Sequence, residues 1–104
     1  MSRRQEAQLQ SILEVDRLVH EPARLAILTV LASAAEVEFL FLQKVLGLSK
    51  GNLSSHAQKL EGAGYLETLK AFRERLPVTS FRITPEGRAA LETYQAQLRK
   101  ALGP

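Results

Sequence analysis

Ser49, Lys50, Asn52, Ser54, Ser55, Gln58 and Lys59 place hydroxyl, amide and ammonium groups within about three helical turns of one another. Farther along, Lys70, Arg73, Arg75 and Arg82 gather on a short segment that Glu74 opposes. Hydroxyls and amides exchange hydrogen bonds with base edges, and lysine and arginine neutralise phosphates, so the two groups together suit a polyanion with readable edges. Gly51 sits among them without a side chain and leaves room for a close backbone approach to a phosphate, although glycine within a helix costs about 1 kcal/mol relative to alanine. Taken alone, either group also fits an ordinary solvated surface: polar outer helix faces are common, and basic hairpins occur as solubilised edges.

Positioning such groups requires a helix followed by a hairpin, and the local sequence provides both. Ser49 is a good N-cap, and Leu53, Ala57 and Leu60 recur at four and three residues, so one face is apolar. Ser55, Gln58 and Gly62 then fall opposite, with Asn52 and Lys59 on one flank and Ser54 on the other. Gly64 closes this helix, residues 65–72 start an extended run, and residues 78–84, rich in Val78, Thr79, Phe81 and Ile83, supply its partner. Arg73-Glu74-Arg75-Leu76-Pro77 joins the two and gives the hairpin a basic tip.

Upstream, apolar residues at Leu9, Ile12, Leu13, Val15, Leu18 and Val19 predict a first helix over 5–19. Pro22 interrupts it and suits the first turn of a second, whose Leu25, Ile27, Leu28, Val30 and Leu31 mark a helix packed on several sides. Residues 36–39 alternate with the period of a short strand, and residues 40–46 predict a third helix ended by Gly47. General burial preferences favour a core role for Leu40 and Phe41 over an exposed apolar contact or a ligand-facing wall. Thr84-Pro85-Glu86 is a strong start for a last helix, in which Leu91, Tyr94, Leu98 and Ala101 recur at three and four residues like a coiled-coil seam that either covers the first helix of the same chain or meets a second copy.

Length and charge bound the reading. With 104 residues, 45% of them hydrophobic, the chain is expected to form one domain around one core. The net charge of +3 is too modest to identify a nucleic-acid binder, but its distribution is uneven. Residues 1–48 carry five basic and six acidic side chains, residues 49–82 six and three, and residues 83–104 three and two. The absence of cysteine excludes disulfides and thiolate metal sites, and no run approaches the roughly 20 apolar residues that span a bilayer, so a cytoplasmic protein is expected. His20 and His56 are isolated and make no ligand set, and neither a nucleophile elbow, a phosphate loop nor a zinc-protease motif occurs. No enzymatic activity, metal or cofactor is expected.

Residues 46–56 and 59–65, from Leu46-Gly47-Leu48-Ser49-Lys50-Gly51-Asn52 through Gly62-Ala63-Gly64-Tyr65, resemble the helix-turn-helix of ArsR/MarR-like winged-helix transcriptional regulators. Residues 72–77, 79–84 and 86–91 are similar to that group's wing and final helix, and residues 16–28 to its opening helices. The implied fold is mainly α with a small β-sheet: a winged helix-turn-helix of about five helices with a two- or three-stranded wing. Over residues 1–104 the helix-turn-helix falls at about 40–63, the wing at about 65–84 and the C-terminal helix at about 85–102. The implied function is that of a homodimeric, operator-binding transcriptional regulator acting on double-stranded DNA, most simply a repressor. Lys50, Asn52, Ser54 and Ser55 carry over as groove-facing, Arg73 and Arg75 as wing contacts, and Leu9, Ile12, Leu13, Leu91, Tyr94 and Leu98 are expected at the dimer interface.

The departures narrow this. Metal-sensing members use cysteines on the third helix or acidic and histidine ligands on the last; here the third has none and the last offers Glu86 and Glu92. Arg73 stands where the wing commonly has glycine. Two other functions fit the same fold: a winged-helix protein-interaction module, and a non-specific architectural DNA binder.

Overall fold

All the helices but the one opened by Phe39 start where a side chain takes up a first-turn amide that would otherwise be unpaired. In the computed structural model, which describes residues 1–103, Ser2 and Gln5 form a reciprocal capping box that opens α1 (Arg3–Leu13). Asp16 caps α2 (Arg17–His20), accepting from the amides of Leu18 at 2.9 Å and Val19 at 3.4 Å. Glu21 caps α3 (Pro22–Ala32) through the Arg24 amide at 2.8 Å. Glu38 precedes α4 (Phe39–Leu46) without a side-chain cap, Ser49 caps α5 (Lys50–Gly62), and Thr84 caps α6 (Pro85–Leu102). Gly47 ends α4 at φ +67°, a left-handed conformation that glycine adopts without Cβ strain.

The single helix expected over 5–19 is therefore two, which raises the number of helices among the described residues to six. The apolar stripe runs on through the break, because Val15 and Val19 are both buried, so periodicity does not reveal where Asp16 restarts the helix. The expected strand at 36–39 shortens to β1 (Val37–Glu38), with Phe39 opening α4. β2 (Leu66–Arg73) and β3 (Leu76–Ile83) form the wing, and β3 lies central in an antiparallel sheet of order β1-β3-β2. The register pairs Leu66 with Ile83 at the base and Arg73 with Leu76 at the tip.

The core is built on α3, whose Ile27, Leu28 and Leu31 are fully buried. Val15, Val19 of α2, Leu42 of α4, Leu53, Ala57 and Leu60 of α5, Val37, Leu66 and Phe81 of the sheet, and Leu91 and Tyr94 of α6 complete it. Each fully buried aliphatic side chain contributes roughly 1.5–3 kcal/mol. Two expectations are corrected here. Leu91 and Tyr94 are not available to a dimer seam, because they are 4% and 3% exposed within the protomer itself and Tyr94 pairs its hydroxyl with His20 Nδ1 at 2.9 Å. Leu40 and Phe41 are not core residues: α4 is a two-turn helix that buries Leu42 and leaves the other two 76% and 56% exposed.

Away from this core, α1 packs on α6 and buries only Ser11 of its own residues. Leu9, Ile12 and Leu13 are left exposed, whereas Leu98 of α6 is partly buried against the core. The protrusion of helix pair and wing makes the protein long, 62 × 25 × 22 Å, with a radius of gyration of 16.1 Å against the roughly 13 Å of a compact chain this size.

Candidate nucleic-acid interface

The inner face of α5 is fixed by Leu53, Ala57 and Leu60, which are buried against the core. Its flank is fixed by polar contacts. His56 Nδ1 lies 3.3 Å from the Arg24 guanidinium and 3.6 Å from the Glu21 carboxylate, while Arg24 Nε donates to the Leu18 carbonyl at 2.7 Å. Burial pushes the Glu21 carboxyl upward, but the amides of Arg24 and Ala23 and the charges of His56 and Arg24 outweigh it and hold the group below its ordinary value of 4.5. At the helix end Gly64 adopts φ +80°, and Tyr65 donates its hydroxyl to Asp16 at 2.8 Å. That hydrogen bond, with burial and the carboxylate's charge, raises the Tyr65 phenol above its ordinary range.

With its inner face and flank so held, α5 turns its opposite side outward. Lys50, Gly51, Asn52, Ser55, Gln58 and Lys59 are exposed and Ser54 is half-buried. Ser49 is exposed too, but its oxygen accepts from the Asn52 amide at 3.1 Å, so its hydroxyl meets an outside partner chiefly as a donor. A Cβ built on Gly51 would meet nothing within 4 Å. The fold does not demand glycine there, and its effect is to leave the outer surface of the first turn bare.

Between α5 and the wing runs a groove of 930 Å³, with Lys50, Ser54 and Gln58 on one side and Lys70, Arg73 and Thr79 on the other. The structure thus brings together the two groups of residues that the sequence left apart. Asn52, Ser55 and Lys59 lie outside this groove on the exposed face of α5, and Arg75 stands at the wing tip. The basic cluster is not uniformly available. Arg82 reaches Glu67 through Nε at 2.9 Å and Nη2 at 2.6 Å, and Arg73 reaches Glu38 at 3.0 Å. Lys50, Lys59, Lys70 and Arg75 form no ion pair among the described residues. The Glu38 partnership was hidden from the sequence by a separation of 35 positions, and the β1–β3 register, Glu38 opposite Ser80, brings it onto the sheet. Phe72 and Leu76 were also missed; they are 78% and 67% exposed beside the tip.

The tip itself is strained. Glu74 and Arg75 make a two-residue hairpin turn with φ of +53° and +70°, which is the territory of Asn-Gly. Left-handed backbone costs ordinary residues about 1–2 kcal/mol each. Replacing the pair by Glu74→Asn with Arg75→Gly is expected to raise the melting temperature, by about 1 kcal/mol of stability, and at the same time to weaken DNA binding through loss of the guanidinium. A melt that moved down would show that the turn tolerates its present residues without strain.

Four similarities to known proteins bear on this arrangement. A sequence model described as a winged helix DNA-binding domain matches residues 23–102. An uncharacterized protein of Methanocaldococcus jannaschii is 35% identical over 78 residues, covering 75% of this chain and 85% of that one. The solved structure of a transcriptional regulator homologue from Pyrococcus horikoshii OT3 is similar at a TM-score of 0.83 and 31% identity, over 92% of this chain and 94% of that chain. An ArsR family transcriptional regulator shares the fold at a TM-score of 0.58 and 24% identity, over 88% and 87%. The matched family is one of DNA-binding domains and not of enzymes. With α4 and α5 as its helix-turn-helix and β2–β3 as its wing, the chain belongs to the winged helix DNA-binding domain family.

Proposed function

We propose that the protein is a sequence-specific binder of double-stranded DNA that works in the cytoplasm as a homodimer on a pseudo-palindromic operator and represses transcription by occluding a promoter. The observation that carries this reading is the groove: hydroxyl, amide and ammonium groups of α5 stand across it from the basic strand of the wing. In this reading α5 enters the major groove with its first turns leading, and Lys50, Asn52, Ser54, Ser55 and Gln58 meet base edges. Ser49, Lys59, Lys70, Arg73 and Arg75 hold the phosphate backbone, and Gly51 lets the first turn approach it closely. The dimer reading is supported by the bare apolar stripe of Leu9, Ile12 and Leu13 on α1. Two-fold symmetry then sets the recognition helices about 34–36 Å apart, one turn of DNA.

Selection of bound duplexes from a random pool tests sequence specificity and symmetry together, since an enriched palindrome requires both. On the selected duplex, Arg75→Ala is expected to weaken binding to every sequence and to flatten the salt dependence by about 0.9 in logarithmic slope. Asn52→Ala is expected chiefly to lose discrimination, by about 1–3 kcal/mol at one base pair. Salt titrations on matched and mismatched duplexes separate the two, and variants indistinguishable from the parent would remove the assigned surface. Equal competition by random and selected duplexes would instead favour an architectural binder.

A second reading rests on the exposed apolar face of α4. Leu40, Phe41 and Val45 of α4 are 76%, 56% and 53% exposed, as suits a protein-interaction module. The same selection decides it, because a pool that enriches no duplex favours that reading.

A further inference from the structure

Building on the DNA-binding reading, we infer that Glu38 is an internal counter-anion that occupies Arg73 in the free protein and must release it to a DNA phosphate. Arg73 closes β2 at the wing tip, and Glu38 lies on β1 at the entry to the first helix of the helix-turn-helix. Their side chains meet at 3.0 Å while remaining 65% and 43% exposed, so the pair spans the outside of the molecule and is not part of its core. Both residues line the groove between α5 and the wing.

Glu38 has an obvious local alternative that it does not take. It is the residue before α4, where a side-chain oxygen ordinarily accepts from a first-turn amide, yet it makes no such bond. Its neighbour Glu36 is held by the Ser80 hydroxyl. The Glu38 carboxylate pairs instead with Arg73 of the wing. The first helix of a helix-turn-helix crosses the DNA backbone, so this carboxylate stands where a phosphate would compete for the same guanidinium.

An exposed ion pair of this kind is weakly held, which makes exchange with phosphate feasible, but it lowers what Arg73 contributes and places a negative charge beside the backbone. Arg75, one turn position away, has no such partner among the described residues. The two wing arginines therefore differ in kind: Arg75 contributes its full charge on contact, and Arg73 contributes only the difference between phosphate and Glu38. Because phosphate contacts carry no sequence information, Glu38 trims affinity for all DNA and leaves discrimination to α5.

The test uses Glu38→Gln and Arg73→Ala, singly and together, with a mixed-sequence duplex of about three helical turns titrated over a range of salt. Glu38→Gln is expected to tighten binding roughly two- to fivefold and to steepen the logarithmic salt slope by up to about 0.9. Arg73→Ala is expected to cost more in the Glu38→Gln background than in the parent, since only there is the arginine wholly available. Unchanged or weaker binding by Glu38→Gln, or an equal cost of Arg73→Ala in both backgrounds, would overturn the inference while leaving the DNA-binding reading intact. A parent protein that binds no duplex at low salt would overturn both.

Discussion

Gly87→Ala is expected to cost at least about 3 kcal/mol of folding stability, a large share of the roughly 5–15 kcal/mol typical of a domain. A Cβ at this position would lie 2.0 Å from the Tyr65 carbonyl oxygen, 2.8 Å from its carbon and 3.0 Å from Ile83 Cγ1. Two of these are backbone atoms, and neither side has freedom to retreat. The Tyr65 oxygen accepts from the Thr84 amide at 3.1 Å, the Gly87 amide donates to Thr84 Oγ1 at 2.9 Å, and that hydroxyl donates to the Gly64 carbonyl. Relief would require α6 to lift from the base of the wing and break this set. Gly51→Ala and Gly62→Ala are natural controls, because a Cβ there meets nothing within 4 Å; each is expected to be neutral or stabilising by about 0.5–1 kcal/mol. Urea titrations of the three variants check the contrast, and a Gly87→Ala midpoint equal to the parent's would contradict the contact.

The second large effect is on binding. Joint replacement Leu9→Glu and Leu13→Glu is expected to leave the fold intact, since the two side chains are 49% and 75% exposed, and to abolish the proposed dimer. An 11-residue helix that buries only Ser11 has little to hold it in place, because isolated helices shorter than about 12–15 residues are marginal in water. A partner's α1 and α6 would cover the stripe formed by Leu9, Ile12 and Leu13 and supply the missing burial. Loss of that partner separates two DNA-reading units that had acted as one, and linkage of this kind is worth about 10²–10⁴ in affinity. Sedimentation and titration of a selected palindrome measure both consequences. A parent that sediments as a monomer at micromolar concentration, or a variant that binds the palindrome undiminished, would end the dimer reading.

What the sequence made legible was local. Ser49 and Thr84 announce helix starts, Gly47 and Gly64 helix ends, and the spacing of Leu53, Ala57 and Leu60 gives the inner face of α5, all of which depend on neighbours within a turn or two. The misses are tertiary. The break before α2 depends on Asp16, whose carboxylate serves both the α2 amides and a tyrosine 49 positions away. The α6 repeat could not say whether its partner was the same chain or another, and Leu91 and Tyr94 proved to face their own core. Leu40 and Phe41 follow no periodic rule that separates them from Leu42, yet the direction of a short helix exposes two and buries one. At the interface, residue types were readable and availability was not, because the ion pairs of Arg73 and Arg82 are set by strand register.

The close approach at Gly87 has a mechanical meaning as well. Tyr65, three residues beyond the end of α5, is bonded through its hydroxyl to Asp16 and through its carbonyl to Thr84, and it abuts α6 with no gap for even a methyl group. The recognition helix and the long C-terminal helix therefore behave as two arms of one bracket. In the proposed dimer, the pitch at which two such brackets are joined fixes the separation of the reading heads without play, so the operator's spacer length becomes a property of the α1/α6 seam and not of the helices that touch the bases.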